Sequence, residues 1–557
     1  VKREEHTLAN CKLGAGNLPQ PSGSCLCMRM TMQQNHPGTS DLRLAEVIAA
    51  LSLATDLGMG QPLEYALSVC VLSVRLGEAL GLSEHELREV YYLALLRHIG
   101  CNAETYRMAD LFGDELTLRT DFAAIDSAHT SQVLGLVIHS IRQANEGTSP
   151  LHLARLIAQG LLTAPQLMKE EFTGFCEVAQ RLALRLGFSE NIRLALGQVF
   201  ERWDGRGIPG KFKGENIIPS MRIVTLAQDA VTFHRLEGVE AAVTMARERK
   251  GTLYDPQMVE RFCQQTSQLL AGLEQEPSWE VVLSLEPGMR TRLSDEQFDQ
   301  ACRAIADFAD IKSPYTLGHS VGVAELAAQA ARRCGLPAAD TVALRRAGLL
   351  HDVGRVAISA GIWGNPGPLS EREWERVRMH PYYTERVLAR PDMLARLGAL
   401  AALHHERLNG SGYYRGLKAS MLSPAARILA AADVYHAMTE LRPHRPALTP
   451  EAAAEQLQRE VRAGRLDSEA TNSVLAASGQ QVRTTRRELV AGLSEREIEV
   501  LRLIARGHSK KQVASLLIIS EKTVDNHIQH IYNKIGVSTR AGATLFATEH
   551  DLFAPVE

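Results

Sequence analysis

Histidine and aspartate gather in one stretch of this 557-residue chain. In order it reads His319, the His351-Asp352 dyad, His380, the His404-His405 pair and Asp433. A lone His-Asp dipeptide carries little information. Here, however, the candidates close apolar helical patterns. Leu349-Leu350 leads into His351-Asp352, Leu403 into His404-His405, and Ala430-Ala431-Ala432 into Asp433. Polar groups projecting from apolar helices are costly unless something satisfies them, and a metal does so. Imidazole and carboxylate without thiolate suit Fe, Mn, Zn or Ni rather than a soft-metal site. One Asp can bridge two ions while the five His fill terminal positions. Two such ions make a bridging hydroxide and clamp both oxygens of an in-line phosphoryl displacement.

A second chemistry lies at residues 489–551. Ser494 with Glu497 forms a capping box, and the helix it opens carries Ile498, Leu501 and Ile504 on one face. Ser509 with Gln512 forms a second box, opening a short helix with Val513, Ala514 and Leu517. Ser520 can cap a third helix, where Val524, Ile528, Ile531 and Ile535 recur as a buried stripe until Gly536. The opposite face shows Lys522, Asp525, Asn526, Gln529 and Asn533. Amide side chains read base edges in the major groove, while Lys and Thr hold phosphates. Two short helices and a polar-faced third element predict a helix-turn-helix that binds double-stranded DNA.

The elements that carry the His/Asp set are helical and duplicated. From about 42 to 480 apolar residues recur at three- and four-residue spacing, and long alternating β-branched runs are absent. Tyr91-Tyr92-Leu93-Ala94-Leu95-Leu96-Arg97-His98 answers Arg345–Asp352, and Glu201-Arg202-Trp203-Asp204-Gly205-Arg206-Gly207 answers Glu406-Arg407-Leu408-Asn409-Gly410-Ser411-Gly412. The offset is 254 residues in the early block and 205 in the later one, so the first copy carries 49 extra residues. Two multi-helix copies read as tandem domains rather than a solenoid. Projected back, His319 falls on Tyr65, His351-Asp352 on Arg97-His98, His404-His405 on Val199-Phe200, and Asp433 on Gln228. Copy one is therefore expected to lack metal and catalysis. Its role as scaffold or as ligand sensor stays open.

The words Gly318-His319-Ser320, His351-Asp352-Val353-Gly354-Arg355, Met379-His380-Pro381, His404-His405-Glu406 through Tyr413, Arg427-Ile428-Leu429 and Asp433-Val434-Tyr435 occur in one order. They resemble the HD superfamily of metal-dependent phosphohydrolases, and its HD-GYP branch, over about residues 300–480. The resemblance implies an all-helical domain that hydrolyses cyclic di-GMP or a related nucleotide. It implies two divalent ions, Fe or Mn ahead of Zn or Ni, held by His319, His351, Asp352, His380, His404, His405 and Asp433. Asp352 would be the bridge and, with Arg355, a catalytic residue. Arg442 and Arg445 match basic residues that hold substrate phosphates, a role suited to guanidinium. The family's Gly-Tyr-Pro is Gly412-Tyr413-Tyr414 here, its frequent Lys is Arg355, and Tyr315 stands where three-metal members carry Glu.

Residues 489–557 resemble the LuxR/FixJ-type DNA-binding domain, through Leu493–Glu497, Ala505–Lys511, Ile519–Val524 and Lys534-Ile535-Gly536-Val537. The resemblance implies base contacts from Asp525, Asn526 and Gln529, and backbone contacts from Lys522, Thr523, His527 and Lys534. It also implies a terminal helix near 539–549 and a homodimer.

Together these features predict an all-α chain: two helical HD-type domains in tandem plus a C-terminal four-helix helix-turn-helix domain. The expected divisions are a disordered or over-extended 1–40, a degenerate HD-like domain 41–270 with an insertion at about 102–170, and a linker 271–299. An intact metal domain 300–480, a linker 481–488 and the DNA-binding domain 489–557 follow. Composition agrees. Hydrophobic residues at 45% and charged residues at 22% exclude a mainly disordered or collagenous chain. No apolar run approaches the roughly 18–20 residues of a membrane span. A net charge of −3 means that DNA binding must come from a local surface. Nine cysteines without a CxxC pair suit reduced thiols, so the protein is expected in the cytoplasm. No alternating strand-helix pattern suggests a receiver domain. Two roles remain open: a phosphodiesterase coupled to DNA binding, and a non-catalytic nucleotide sensor that gates it.

Overall fold

The computed structural model describes residues 42–480, apart from 104, 124, 126–128 and 274–277, and residues 490–552, apart from 507, 538–539 and 551. The expected extension 1–40 and linker 481–488 lie outside the described residues. Among the described residues the chain is all-α, with no strand and only isolated bridges.

The duplication is physical as well as textual. In copy one the helix Tyr65–Ala79 follows a left-handed residue, Glu64 at φ 72°. In copy two His319–Arg333 follows Gly318 at φ 79°. The helices Pro219–Glu237 and Pro424–Thr439 both begin with Pro in the first turn, where its missing N–H costs nothing. Arg222 on the first pairs with Asp255 at 2.5 Å, and Arg427 on the second pairs with Asp467 at 3.1 Å. Each Asp is in turn the N-cap of the next helix but one, Pro256–Leu269 or Ser468–Ala477.

One apolar cluster joins the copies. The helix Leu44–Gly58 buries twelve of its fifteen residues, so it is apolar all round and needs cover on every side. Ile48 and Leu51 on it share a core with Leu67 and Leu72 of copy one and with Leu349, Val353, Val356 and Val387 of copy two. Part of the stretch 271–299, expected as a linker, is packed instead. The helix Ser278–Ser284 lies there, and Trp279, Val282 and Leu283 enter the same core.

The insertion of copy one folds as Thr105–Phe112, Glu115–Phe122, Thr130–Ala144 and the first half of a 36-residue helix, Pro150–Arg185. Its near end touches copy two. The Glu115 carboxylate lies 3.0 Å from Lys312 Nζ and accepts from the Ser359 hydroxyl at 2.7 Å and the Ala360 amide at 2.9 Å. Both side chains of this ion pair are buried.

The C-terminal helices run Glu495–Ala505, Lys510–Leu517, Glu521–Ile535 and Arg540–Glu549. Both expected capping boxes form, Ser494 with Glu497 and Ser509 with Gln512. Ser520 accepts from the Thr523 amide, and Gly536 closes the third helix at φ 71°. Val524, Ile528 and Ile531 are buried with Val500, Leu501 and Val513, so these four helices have a core of their own.

Candidate metal centre and nucleic-acid interface

Several helices of copy two deliver parts of the His/Asp set. His319 opens one helix, His351 closes the helix Ala338–Leu350, His380 opens another, and Asp433 sits on Pro424–Thr439. Gly354 permits the tight approach. A Cβ there would lie 2.1 Å from the His380 carbonyl oxygen and 2.4 Å from the Thr384 amide nitrogen.

The seven expected residues converge. Asp352 Oδ1 lies 3.5 Å from His380 Nε2 and 3.6 Å from His404 Nε2. Its Oδ2 lies 3.5 Å from His351 Nε2 and 3.8 Å from His319 Nε2. Asp433 Oδ1 faces His319 Nε2 at 3.3 Å, and its Oδ2 faces His405 Nδ1 at 3.7 Å. The set thus divides into two groups, His380-His404-His405 and His319-His351-Asp433, each compact enough for one ion. Asp352 stands between them with one oxygen toward each.

The tautomers favour a metal. His351, His380 and His404 donate from Nδ1 to the carbonyls of Gly348, Val377 and Ala401, at 2.7, 2.6 and 2.7 Å. A neutral ring that donates at Nδ1 bears its lone pair at Nε2. Burial holds His404 neutral with a pKa near about 3, and His380 near about 4. Their bare Nε2 atoms face the same carboxylate. His351 Nε2 and Asp352 Oδ1 are buried without a hydrogen-bond partner. Buried acceptors without donors are costly, and divalent cations satisfy such a set. The residues therefore fit the metals that the sequence implies.

Two further residues complete the site and escaped the sequence reading. Glu440 accepts from His319 Nδ1 at 2.8 Å, orienting that ring, and His436 Nδ1 lies 3.3 Å from Glu440. Burial would raise the Glu440 carboxyl, yet hydrogen bonds from His319 and His436 outweigh it and hold the group at about 2. The overlooked signal was spacing. His436 follows Asp433 by three residues on the same helix, and Glu440 lies just past that helix's end. Gly322 makes room for the His436 ring, since a Cβ there would lie 1.8 Å from its Nε2.

Arg355 Nη1 donates to Asp352 at 3.1 Å and its guanidinium covers the Trp363 ring at 3.8 Å. Arg442 reaches the cluster edge, donating to Glu440 at 2.8 Å and to the Tyr315 carbonyl at 3.0 Å. Arg445 does not join the cluster. It donates to the carbonyls of Ala437, Met438 and Pro446 at 2.5, 3.0 and 3.1 Å, and so serves the end of the helix. Tyr413 stacks beside His405, with centroids 4.6 Å apart, and lines an open cleft of about 920 Å³. Arg372, Arg376, Arg378 and Arg415 line the same cleft.

Residues 155–273 and 303–470 match the family described as HD domain. The chain belongs to the HD domain family. This places it among the metal-dependent phosphohydrolases of the HD superfamily. The HD match covers the second copy and the part of the first copy from residue 155 onward. Residues 491–547 match the bacterial regulatory proteins of the luxR family. A 3'3'-cGAMP-specific phosphodiesterase of Vibrio cholerae is 32% identical over 73% of this HD chain and 88% of its own length. A cyclic di-GMP phosphodiesterase of Pseudomonas aeruginosa is 39% identical over 24% of this chain and 32% of its own. The crystal structure of a Vibrio cholerae cyclic GMP-AMP-specific phosphodiesterase superimposes with a TM-score of 0.54 at 28% identity, covering 78% of this chain and 98% of that one.

On the luxR-family domain, Lys522, Asn526 and Gln529 are exposed opposite the buried stripe. Thr523 and His527 are half-buried. Asp525 pairs with Lys510, which draws that carboxylate back onto the protein. Lys534 Nζ binds Glu497 at 2.7 Å and the Gly492 carbonyl at 3.0 Å, so it braces the first helix. Among the described residues no helix is long and apolar enough to cross a membrane.

Proposed function

We propose that this chain hydrolyses a cyclic dinucleotide at the metal centre of its second HD copy and binds double-stranded DNA through its luxR-family domain. The observation that carries the proposal is the convergence of the His351, His380 and His404 Nε2 atoms on Asp352, with His351 Nε2 and Asp352 Oδ1 buried without a hydrogen bond. His319, His351 and Asp433 would hold one divalent ion, His380, His404 and His405 the other, with Asp352 between them. Fe or Mn suits this donor set best, with Zn or Ni next. When bound, such ions supply an activated hydroxide and neutralise charge on the phosphoryl group.

The chain's own residues do the rest. Arg355 fixes the Asp352 carboxylate at the seam between the two groups. Arg442 turns a guanidinium toward the cluster edge, where a substrate phosphate would approach. Tyr413 offers a ring and the four arginines of the cleft offer charge, a combination suited to a base and a phosphate backbone. Between cyclic di-GMP and 3'3'-cGAMP, the relative that spans most of this chain favours the latter. We place the protein in the cytoplasm, acting as a homodimer that couples nucleotide turnover to transcription.

The test is turnover of a cyclic-dinucleotide panel by protein purified anaerobically with Mn or Fe. Linear dinucleotide or mononucleotide should appear, and His351→Ala and Asp352→Ala should abolish it. No turnover by metal-loaded protein would reject catalysis and leave a binding-only sensor.

A further inference from the structure

In copy one the positions that answer the metal cluster line a single cavity. Tyr65, Arg97, His98, Val199, Phe200 and Gln228 all face it. The space amounts to about 210 Å³. One water needs roughly 10–15 Å³ of such space, so there is room for a small organic molecule. Much of the wall is apolar and comes from the insertion that copy two lacks: Met108, Phe112, Phe122, Leu136, Val137 and Met168. Farther along, Phe172 and Phe200 stack with centroids 4.4 Å apart.

At the base lies Arg97, only 7% exposed. It donates to Thr225 Oγ1 at 2.8 Å, Met221 Sδ at 3.1 Å and the Val199 carbonyl at 3.2 Å. Its Nε has no hydrogen-bond partner, and these three acceptors are all uncharged. A guanidinium has five N–H donors. Three are used and two remain, enough for one carboxylate.

Most of the other charges around the cavity are answered, Glu201 Oε2 being buried without a hydrogen bond. Asp229 binds Arg249 at 3.3 Å and the Tyr254 hydroxyl. Arg202 binds Asp204 at 3.3 Å. Glu201 accepts the Lys211 amide at 2.8 Å, as Glu406 accepts the Arg415 and Leu417 amides in copy two. Arg119 lies in the field of Glu115 and Glu171 and donates to the Gly58 carbonyl at 2.8 Å. His98 is engaged with Gln228 at 2.7 Å. Asp229 lies in the field of Arg97 but is bonded to Arg249 and Tyr254, so the buried Arg97 keeps unused N–H donors beside the cavity, which is expensive.

We propose that copy one is a binding site for an amphiphilic monoanion, an alkyl or aryl body carrying one carboxylate, seated with that carboxylate on Arg97. The insertion supplies the apolar wall, and Arg97 supplies positive charge at the position that His351 occupies in copy two. A phosphate dianion fits less well, because one guanidinium with two free donors leaves most of its oxygens dry.

The test is calorimetric titration of the full chain with sodium decanoate and sodium phenylbutyrate. Decanol, decylamine and inorganic phosphate are the comparators. A hydrogen-bonded charge pair is worth roughly tenfold or more in affinity. One acid should therefore bind saturably at one site per chain, about tenfold or more tighter than decanol, decylamine or phosphate. Arg97→Met should remove that advantage, and Leu136→Trp, which fills the cavity from the insertion side, should block binding. No saturable binding of either acid, or decanol binding as tightly as decanoate, overturns the proposal. So does binding unchanged by Leu136→Trp. The comparison of acid with alcohol needs no variant, so it holds even if Arg97→Met fails to fold.

Discussion

His380 and His404 turn their Nε2 atoms toward each other at 3.1 Å, and both rings already donate from Nδ1 to backbone carbonyls. Two lone pairs at that distance repel. A divalent cation turns the repulsion into attraction. Metal should therefore stabilise this domain well beyond any catalytic role. A ligand at a hundred times its Kd adds about 2.7 kcal/mol. Thermal unfolding with Mn and after chelation should show a clear rise in Tm with metal. Equal Tm values in the two states would reject the assignment of these imidazoles as ligands.

The same imidazoles set the pH response of metal-free protein. Burial holds His404 at about 3 and His380 at about 4, against 6.5 for an exposed ring. The unfolded chain binds protons that the folded one refuses. Their contribution is therefore full above 6.5 and falls as pH drops toward about 4. His319 works in the opposite sense. Burial would lower it, but Asp433 and Glu440 outweigh that and lift it to about 9. Its contribution is full below the free value and is lost as pH rises toward about 9. The stripped protein should lose Tm steadily between about pH 7 and pH 5, and His404→Asn should flatten that limb. An unchanged slope in the variant would count against this account.

Glu115 ties the insertion of copy one to the turn that follows Asp352. Its partner Lys312 also donates to the Val356 carbonyl at 2.7 Å. Removing one member of a buried pair costs on the order of 3–5 kcal/mol, because the other charge is stranded. Glu115→Ala should destabilise the tandem by about that amount in urea unfolding, and it should lower phosphodiesterase turnover. A loss below about 1 kcal/mol would make the pair a surface-like contact.

Much of this architecture was legible in the residues themselves. Ser494, Ser509 and Ser520 announce helix starts by a local rule, and the seven candidate ligands could be ordered because several of them close apolar helical patterns. What stayed hidden needed three dimensions. Glu440 lies just past its helix end and matters only because His319 reaches it across 121 residues. Arg445 looks like a phosphate binder until its donors are found on carbonyls. Ser278–Ser284 sits in a polar-flanked stretch, and its burial depends on a core shared between copies. The cavity of copy one was least visible of all, since its wall comes from an insertion without a counterpart.

The two arginines of the Arg442-Pro443-His444-Arg445 segment should separate kinetically. Arg442 binds Glu440 beside the cluster, so Arg442→Ala should raise KM for the cyclic dinucleotide about tenfold, as loss of one charged hydrogen bond implies. Arg445→Ala should leave KM near its starting value and lower Tm, because its bonds hold the end of Pro424–Thr439. Equal effects on KM would mean that Arg445 swings into the site when substrate binds.

The luxR-family domain offers the same kind of separation. Asn526 and Gln529 are exposed on the face proposed to meet the major groove, so alanine at either should cost about 1–3 kcal/mol on the preferred operator and relax specificity at one base pair. Lys522 is exposed and unpaired with any acid among the described residues. Its alanine variant should weaken all sequences alike and reduce the slope of log K against log salt by about one. Lys534 differs, because it is spent on Glu497, whose carboxyl it helps hold at about 2 against the lift of burial. Lys534→Ala should lower the Tm of the domain and leave the salt slope almost unchanged. Titrations of a labelled operator at several salt concentrations would read all four variants together. A salt slope that falls as much for Lys534→Ala as for Lys522→Ala would show that DNA pulls Lys534 away from Glu497.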